Sequence, residues 1–259
     1  MTDDVQTLFD QAMAKQDRDD LDGAIADYTT VLEHDPNYVP AYFNRAMAFV
    51  SRHEMDKALA DYDTVIQLQP DYAPAYFNRG NTRQFSGDDQ GAIDDYTQAI
   101  LHDPQYAEAY NNRGVVRENT NDIDGALQDY SDAIALNPDF LGAHFNRALV
   151  RDNTGDLEGA IEDYSAVIRL ESRHLNAYLN RGVAYAMLER DEDALRDFNM
   201  AVQLDPHDAE AYNNRGNILA KLRRLDEAIE NYDKALEIDP HHALAKDNRE
   251  RARKQRRRS

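Results

Sequence analysis

Asparagine and arginine stand side by side at 44–45, 78–79, 112–113, 146–147, 180–181, 214–215 and 248–249, always at one constant interval. A recurring guanidinium can fork onto carboxylates, and a row of primary amides can donate and accept hydrogen bonds at once. Neighbouring positions on a helix point about 100° apart, so the two rows serve different ends. A second series, Asp27, Asp61, Asp95, Asp129, Asp163 and Asp197, keeps the same period, each one residue before an aromatic. Equal in period and opposite in sign, the arginines and aspartates are expected to pair. Joining each Asp to the Arg of the following repeat, Asp27 with Arg45 through Asp197 with Arg215, uses every Asp. Pairing within a repeat would strand Asp27, whose complementary slot is Gln11, and Arg215, whose complementary slot is Asn231. The spacing therefore predicts ion pairs between successive repeats, costly to break when half-buried. The arginine row reads as structural.

Other residues that could do chemistry lack the spacing for it. The chain has no cysteine, which removes disulfides, thiolate ligands and a cysteine nucleophile. Eight histidines sit mostly near turns (His34, His102, His207, His241, His242) or singly, without the histidine–carboxylate grouping of a zinc helix. Acidic doublets fall at repeat spacing and read as solvated faces; paired carboxylates alone make no glycosidase. No glycine-rich phosphate loop or G-x-S-x-G turn occurs. The expectation is a protein with no catalytic residues, no metal and no cofactor.

The elements that must carry these rows announce themselves by repetition. Proline recurs at Pro36, Pro70, Pro104, Pro138, Pro206 and Pro240, with Ser172 in the one skipped slot. Alanine keeps the beat at Ala24, Ala58, Ala92, Ala126, Ala160, Ala194 and Ala228, followed four residues on by Tyr28, Tyr62, Tyr96, Tyr130, Tyr164, Phe198 and Tyr232. Each unit reads as two helices. The first carries small residues such as Gly80, Gly114, Gly182 and Gly216, where another helix must come close. A turn follows, with Gly87, Asn121 or Gly155 suited to left-handed backbone. The second helix places apolar residues at three- and four-residue spacing and is ended by proline. No run alternates for long enough to suggest a strand, so the fold class is all-α.

The 34-residue period, the helix-turn-helix rhythm and the Tyr, Gly/Ala, Ala, Tyr and Pro slots resemble the tetratricopeptide repeat (TPR) family over nearly the whole chain. The early first-helix aromatic is Tyr42, Tyr76, Tyr110, Tyr178 and Tyr212, with His144 and Leu8 as departures, and the Asn-Arg-Gly style looks bacterial. The resemblance implies a right-handed α-solenoid superhelix of antiparallel helix pairs, the first helix of each pair lining a concave groove. The repeats divide as 5–38, 39–72, 73–106, 107–140, 141–174, 175–208 and 209–242, and 243–259 reads as a capping helix with a basic tail. Repeat one is the most degenerate, as the end of a solenoid should be.

On this resemblance the asparagines Asn44, Asn78, Asn112, Asn146, Asn180 and Asn214 face the groove, where amides can grip an extended peptide backbone without regard to its sequence. The same amides could instead bond neighbouring helices or cap local backbone. Neighbouring groove slots hold Phe9, Met13, Phe43, Met47, Phe77, Phe85 and Asn81, with Pro40 and Pro74 at the rim, an apolar and adaptable lining. Further along come Asn111, Glu118, Asp152, Leu179, Met187, Asn213 and Asn217, and Lys221 is the one cation placed there. The family's clamp for acidic chaperone tails needs lysine and arginine at slots that lack them here. The implied guest is an extended protein or peptide segment, apolar where it meets phenylalanine and neutral or basic elsewhere; acidic tails are disfavoured.

The charge balance agrees. Twenty-nine basic and 49 acidic side chains give a net charge of −20, with mean hydropathy −0.79. The stretch 243–259 carries eight Lys/Arg and two acids, a local +6, so the stretch 1–242 carries −26. Such a body repels nucleic acid and anionic membranes, leaving only the tail for such contacts. The start, MTDDVQTLFDQAMAKQ, has neither the basic nor the apolar stretch of a signal peptide, and no run nears the roughly 20 apolar residues of a membrane span. A soluble, cytoplasmic scaffold is expected. The alternatives are a homo-oligomer assembled through end repeats and basic tail, and a regulatory module for an enzyme supplied in trans.

Overall fold

The computed structural model describes residues 2–258; Met1 and Ser259, the two ends of the anticipated array and tail, lie outside the described residues. Seven antiparallel helix pairs and one further helix account for nearly all of it. The pairs are α1 (Thr2–Gln16) with α2 (Leu21–His34), α3 (Val39–Ser51) with α4 (Met55–Leu68), α5 (Ala73–Phe85) with α6 (Asp89–His102), and α7 (Ala107–Asn119) with α8 (Ile123–Leu136). Then come α9 (Leu141–Thr154) with α10 (Leu157–Leu170), α11 (Leu175–Met187) with α12 (Asp191–Leu204), and α13 (Ala209–Lys221) with α14 (Leu225–Ile238), and last α15 (Ala243–Arg256). No strand occurs among the described residues, and no helix is long and apolar enough to cross a membrane. The chain packs as two compact units that divide between Pro138 and Asp139. The first holds α1–α8 and the second α9–α15.

Local signals explain the boundaries. The turn inside each pair contains one residue with positive φ, and the slot recurs once per repeat, from Asp19 and His53 through Gly87, Asn121, Gly155 and Glu189 to Arg223. Several acids that the sequence presents as solvated faces have a definite task at the next helix start. Asp20, Asp88, Asp122 and Asp156 each accept from the backbone N–H three residues on, capping α2, α6, α8 and α10. His174 and His242 cap α11 and α15 in the same way.

The second helices turn their periodic Ala and Tyr/Phe inward. Tyr28, Tyr62, Tyr96, Tyr130, Tyr164, Phe198 and Tyr232 are essentially fully buried, as are the alanines four residues before them. Room for these rings comes from the small first-helix slot: a Cβ on Gly114 would sit 2.8 Å from Cε1 of Tyr130. Within each unit every second helix also packs on the first helix of the following pair, so each repeat completes its neighbour's core.

Each arginine forks onto the periodic aspartate of its own repeat, not onto the one 18 residues earlier. Arg45 forks onto Asp61 with Nε–Oδ2 and Nη2–Oδ1 both at 2.8 Å, and Arg79–Asp95, Arg113–Asp129, Arg147–Asp163 and Arg181–Asp197 repeat the arrangement. A second cation, Arg83, Arg117 or Arg151, reaches Asp95, Asp129 or Asp163 at 2.9, 2.9 and 2.8 Å. The ends of the chain point the wrong way because other groups fill the vacancies there. Lys15 holds Asp27 at 2.6 Å, and Arg215 donates to the amide oxygen of Asn231 at 2.7 Å. Successive repeats are still bridged by these arginines, through the residue after the preceding aromatic: Arg45 to Thr29 and Arg113 to Thr97 at 3.0 Å, Arg181 to Ser165 at 2.8 Å, Arg249 to Asp233 at 2.8 Å.

Candidate functional site

The resemblance placed a ligand on the first-helix face that carries the asparagines. The structure distributes its asparagines among several tasks. Asn44 and Asn78 donate from Nδ2 to the carbonyls of Pro40 and Pro74 at 2.9 and 2.8 Å, one turn back on their own helices. Asn112 donates to Oδ1 of Asn81 at 3.0 Å, and Asn81 also accepts from the Tyr96 hydroxyl at 2.7 Å. Asn146 is half-buried on α9. Asn180 lies against the Tyr164 hydroxyl, and Asn214 accepts from Asn213 at 3.4 Å. Asn217 takes the Tyr232 hydroxyl at 2.9 Å and an amide N–H of Asn248 at 2.8 Å. Amides anchored on one side by their own protein have a fixed orientation and keep part of their capacity of two donors and two acceptors.

The apolar residues separate into packing and surface. Phe9 does not line the face: it is buried, edge-on to Tyr38 at 5.3 Å and tilted on Tyr28 at 5.7 Å. Phe43 and Phe77 are half-buried because each ring sits between two tyrosines, Tyr62 with Tyr72 and Tyr96 with Tyr106. Met13, Met47 and Phe85 are exposed, Phe85 by 70% of its surface. Lys221 is held by Asp191 at 2.7 Å.

In the first unit Met47 and Phe85 converge, while Met13 is not part of the cleft lining. A cleft of about 410 Å³ opens among α1, α3, α4 and α5, lined by Met47 and Val50, by Met55, by Tyr62, and by Asn78 and Phe85. His53, in the left-handed turn slot, also lines it and stacks on Phe85 with centroids 6.1 Å apart. None of the lining side chains is a carboxylate, lysine or arginine. Burial raises the Tyr62 phenol far above its ordinary range, and the charge of Asp61 adds to this, so it is a neutral donor near neutral pH. The sequence reading missed Val50, His53, Met55 and Tyr62. The signal that was available is Val50 itself, which stands where other repeats carry Gln16, Gln84, Glu118 and Asp152.

A polar cluster in the second unit is structural. His144 replaces the usual first-helix aromatic and its Nδ1 lies 3.0 Å from Asp163. Burial by itself would raise the Asp163 carboxyl, but hydrogen bonds from His144 and Arg147 and the charges of Arg147 and Arg151 outweigh it and hold the group below the usual carboxylate range. A depressed folded value stabilises the fold above the ordinary carboxylate pKa, and this contribution disappears as pH falls through the folded value. Melting temperatures followed from pH 7 to pH 3 should therefore drop less in Asp163→Asn than in the parent, from a lower starting point. No group of three or more metal-ligating side chains occurs among the described residues.

Family models described as Tetratricopeptide repeat match residues 107–140, 209–242, 145–209 and 73–106, and one described as TPR repeat matches 47–84. Among solved structures, the MamA protein is 25% identical over 67% of this chain and 94% of its own, with a TM-score of 0.60. YrrB, described as a TPR protein with an unusual peptide-binding site, is 26% identical over 84% of this chain and 95% of its own, with a TM-score of 0.57. The C-terminal part of a TPR repeat-containing protein from Cytophaga hutchinsonii, 18% identical, shares the fold over 93% of this chain and 98% of its own at a TM-score of 0.80. No curated protein matches the sequence significantly. With helix pairs of one repeated design and family models spanning residues 47 to 242, the chain belongs to the tetratricopeptide repeat family, as an all-α solenoid of stacked antiparallel helix pairs.

Proposed function

We propose that this TPR protein is a non-catalytic scaffold that holds an extended peptide, or an extended segment of a partner protein, against the first-helix face of its first unit. The observation that carries the reading is the exposed pair Met47 and Phe85 beside the oriented amides Asn78 and Asn81. An aromatic with most of its surface in water, flanked by adaptable thioethers, marks an interaction surface more than a packing accident. The peptide-binding site ascribed to YrrB adds support at 26% identity. The cleft lining bears no cation, so the guest is apolar or neutral where it enters and neutral or basic beyond; acidic tails find no partner there.

Phe85 is so exposed that changing it should leave the fold alone. Phe85→Glu is expected to keep the melting temperature close to that of the parent and to weaken binding to an array of random extended peptides about tenfold or more, because a carboxylate replaces an apolar contact at the centre of the patch. Unchanged binding with an intact fold would remove the first-unit face as the binding site.

A further inference from the structure

The second-helix tyrosines share a difficulty, since a phenol that is almost wholly buried must find an acceptor. Four of them find it on the first helix of their own repeat. Tyr28 donates to Gln16 at 2.9 Å, Tyr96 to Gln84 at 2.8 Å, Tyr130 to Glu118 at 2.9 Å and Tyr232 to Asn217 at 2.9 Å. In the sixth repeat the corresponding slots are Val183 and Ala186, which accept nothing, and the aromatic is Phe198, which has nothing to donate. Two repeats break this pattern: in the fifth, the Tyr164 hydroxyl is shut off from solvent with no hydrogen bond, while in the second the hydroxyl opens on the cleft. The slots of the second repeat are Met47 and Val50, yet the aromatic remains Tyr62. That residue is 1% exposed, lines the cleft, and its hydroxyl donates to no group among the described residues.

We infer that the Tyr62 hydroxyl is the polar anchor of a subsite for one aromatic residue of the bound peptide, donating to a backbone carbonyl of that peptide while the aromatic side chain fills the cleft. The inference rests on the peptide-binding reading of this face and names what the face selects. The O–H of this neutral phenol is unused within the protein and opens on the cleft, where a guest can supply the acceptor. A peptide carbonyl is the acceptor every residue supplies. The lining excludes a charged side chain, which would lose its water without gaining a counter-ion. It favours an aromatic one, because Met47 and Met55 offer thioether contacts and the exposed Phe85, stacked on His53, offers a ring to pack against. The volume of about 410 Å³ admits an aromatic side chain together with adjoining backbone. Asn78, its Nδ2 held by the Pro74 carbonyl, leaves an amide oxygen for a peptide N–H.

The test uses the full chain and blocked pentapeptides, acetyl-Ala-Ala-X-Ala-Ala-amide, with X as Phe, Leu, Ala or Asp, titrated by NMR. The Phe peptide is expected to bind about tenfold more tightly than the Ala and Asp peptides and several-fold more tightly than Leu. Val50→Gln is the decisive variant. It places an amide where Gln16 and Gln84 stand, gives Tyr62 an internal acceptor and fills the cleft, so it should hold or raise the melting temperature while weakening the Phe peptide about tenfold. Tyr62→Phe, which removes only the donor, should weaken it about fivefold. Equal binding of the Phe peptide by the parent, Val50→Gln and Tyr62→Phe proteins would overturn the subsite, and would leave the face itself standing as a peptide site if Phe85→Glu weakened binding. Failure of the parent to bind any pentapeptide or any member of a random array would overturn both.

Discussion

Replacing Asp129 with alanine is expected to destabilise the protein by about 3–5 kcal/mol, the usual result of stripping one partner from a buried ion pair. Asp129 is 1% exposed and accepts from two cations at once, Arg113 at 2.7 and 3.0 Å and Arg117 at 2.9 Å. Its removal leaves two guanidinium groups crowded together with no anion, and opens a hole where α7 crosses α8. The chain contains its own milder control. In the seventh repeat the same slot is Asn231, which accepts from Arg215 at 2.7 Å, so a neutral amide is tolerated by this architecture. Asp129→Asn should therefore cost clearly less than Asp129→Ala. Urea unfolding followed by circular dichroism measures both. Equal losses for the two variants would show that the charge, not the hydrogen bonds, carries the interaction.

Ending the chain at His242 is expected to cost on the order of 3 kcal/mol and to cause aggregation, because uncovering large apolar side chains costs about 1.5–3 kcal/mol each when complete. Helix α15 packs on α13 and α14 with Ala245 and Ala252 buried, and Ala252 joins a core with Ile218, Leu219, Ile229 and Tyr232. The tail is also tied down electrostatically, Arg249 and Arg253 on Asp233 and Arg256 on Asp226. The outermost of these ties is exposed and contributes little, so Arg256→Ala should behave almost as the parent. Light scattering and thermal melts of the truncated and full chains decide the matter. A truncated chain as soluble and as stable as the parent would show that α15 is not a cap.

The repeat period made the fold legible before any coordinates. Evenly stepped prolines and the Ala–Tyr spacing define helix pairs because each unit solves the same packing problem. The partner of each arginine was not legible. One candidate aspartate lies ahead of it and one behind at nearly the same sequence distance, and only the antiparallel crossing within a pair decides between them. The end repeats pointed to the one behind, but Lys15 and Asn231 supplied substitutes that a strict like-for-like count does not anticipate. Phe9 illustrates a second limit. It shares its slot with Phe43 and Phe77, and how far such a ring is covered depends on which tyrosines flank it. The cleft emerged only from an exception, since Val50 is unremarked until the hydroxyl it abandons is seen.

The central claim, that the first unit presents an apolar face of first helices to a peptide, is tested most directly through its methionine methyl groups. Met47 and Met55 line the cleft, whereas Met200 packs against the core of α11 and α12 in the second unit. With ¹³C-methyl methionine and saturating acetyl-Ala-Ala-Phe-Ala-Ala-amide, the Met47 and Met55 resonances should shift while Met200 stays in place. Stationary Met47 and Met55 signals at saturation, or a Met200 shift as large as theirs, would contradict the account.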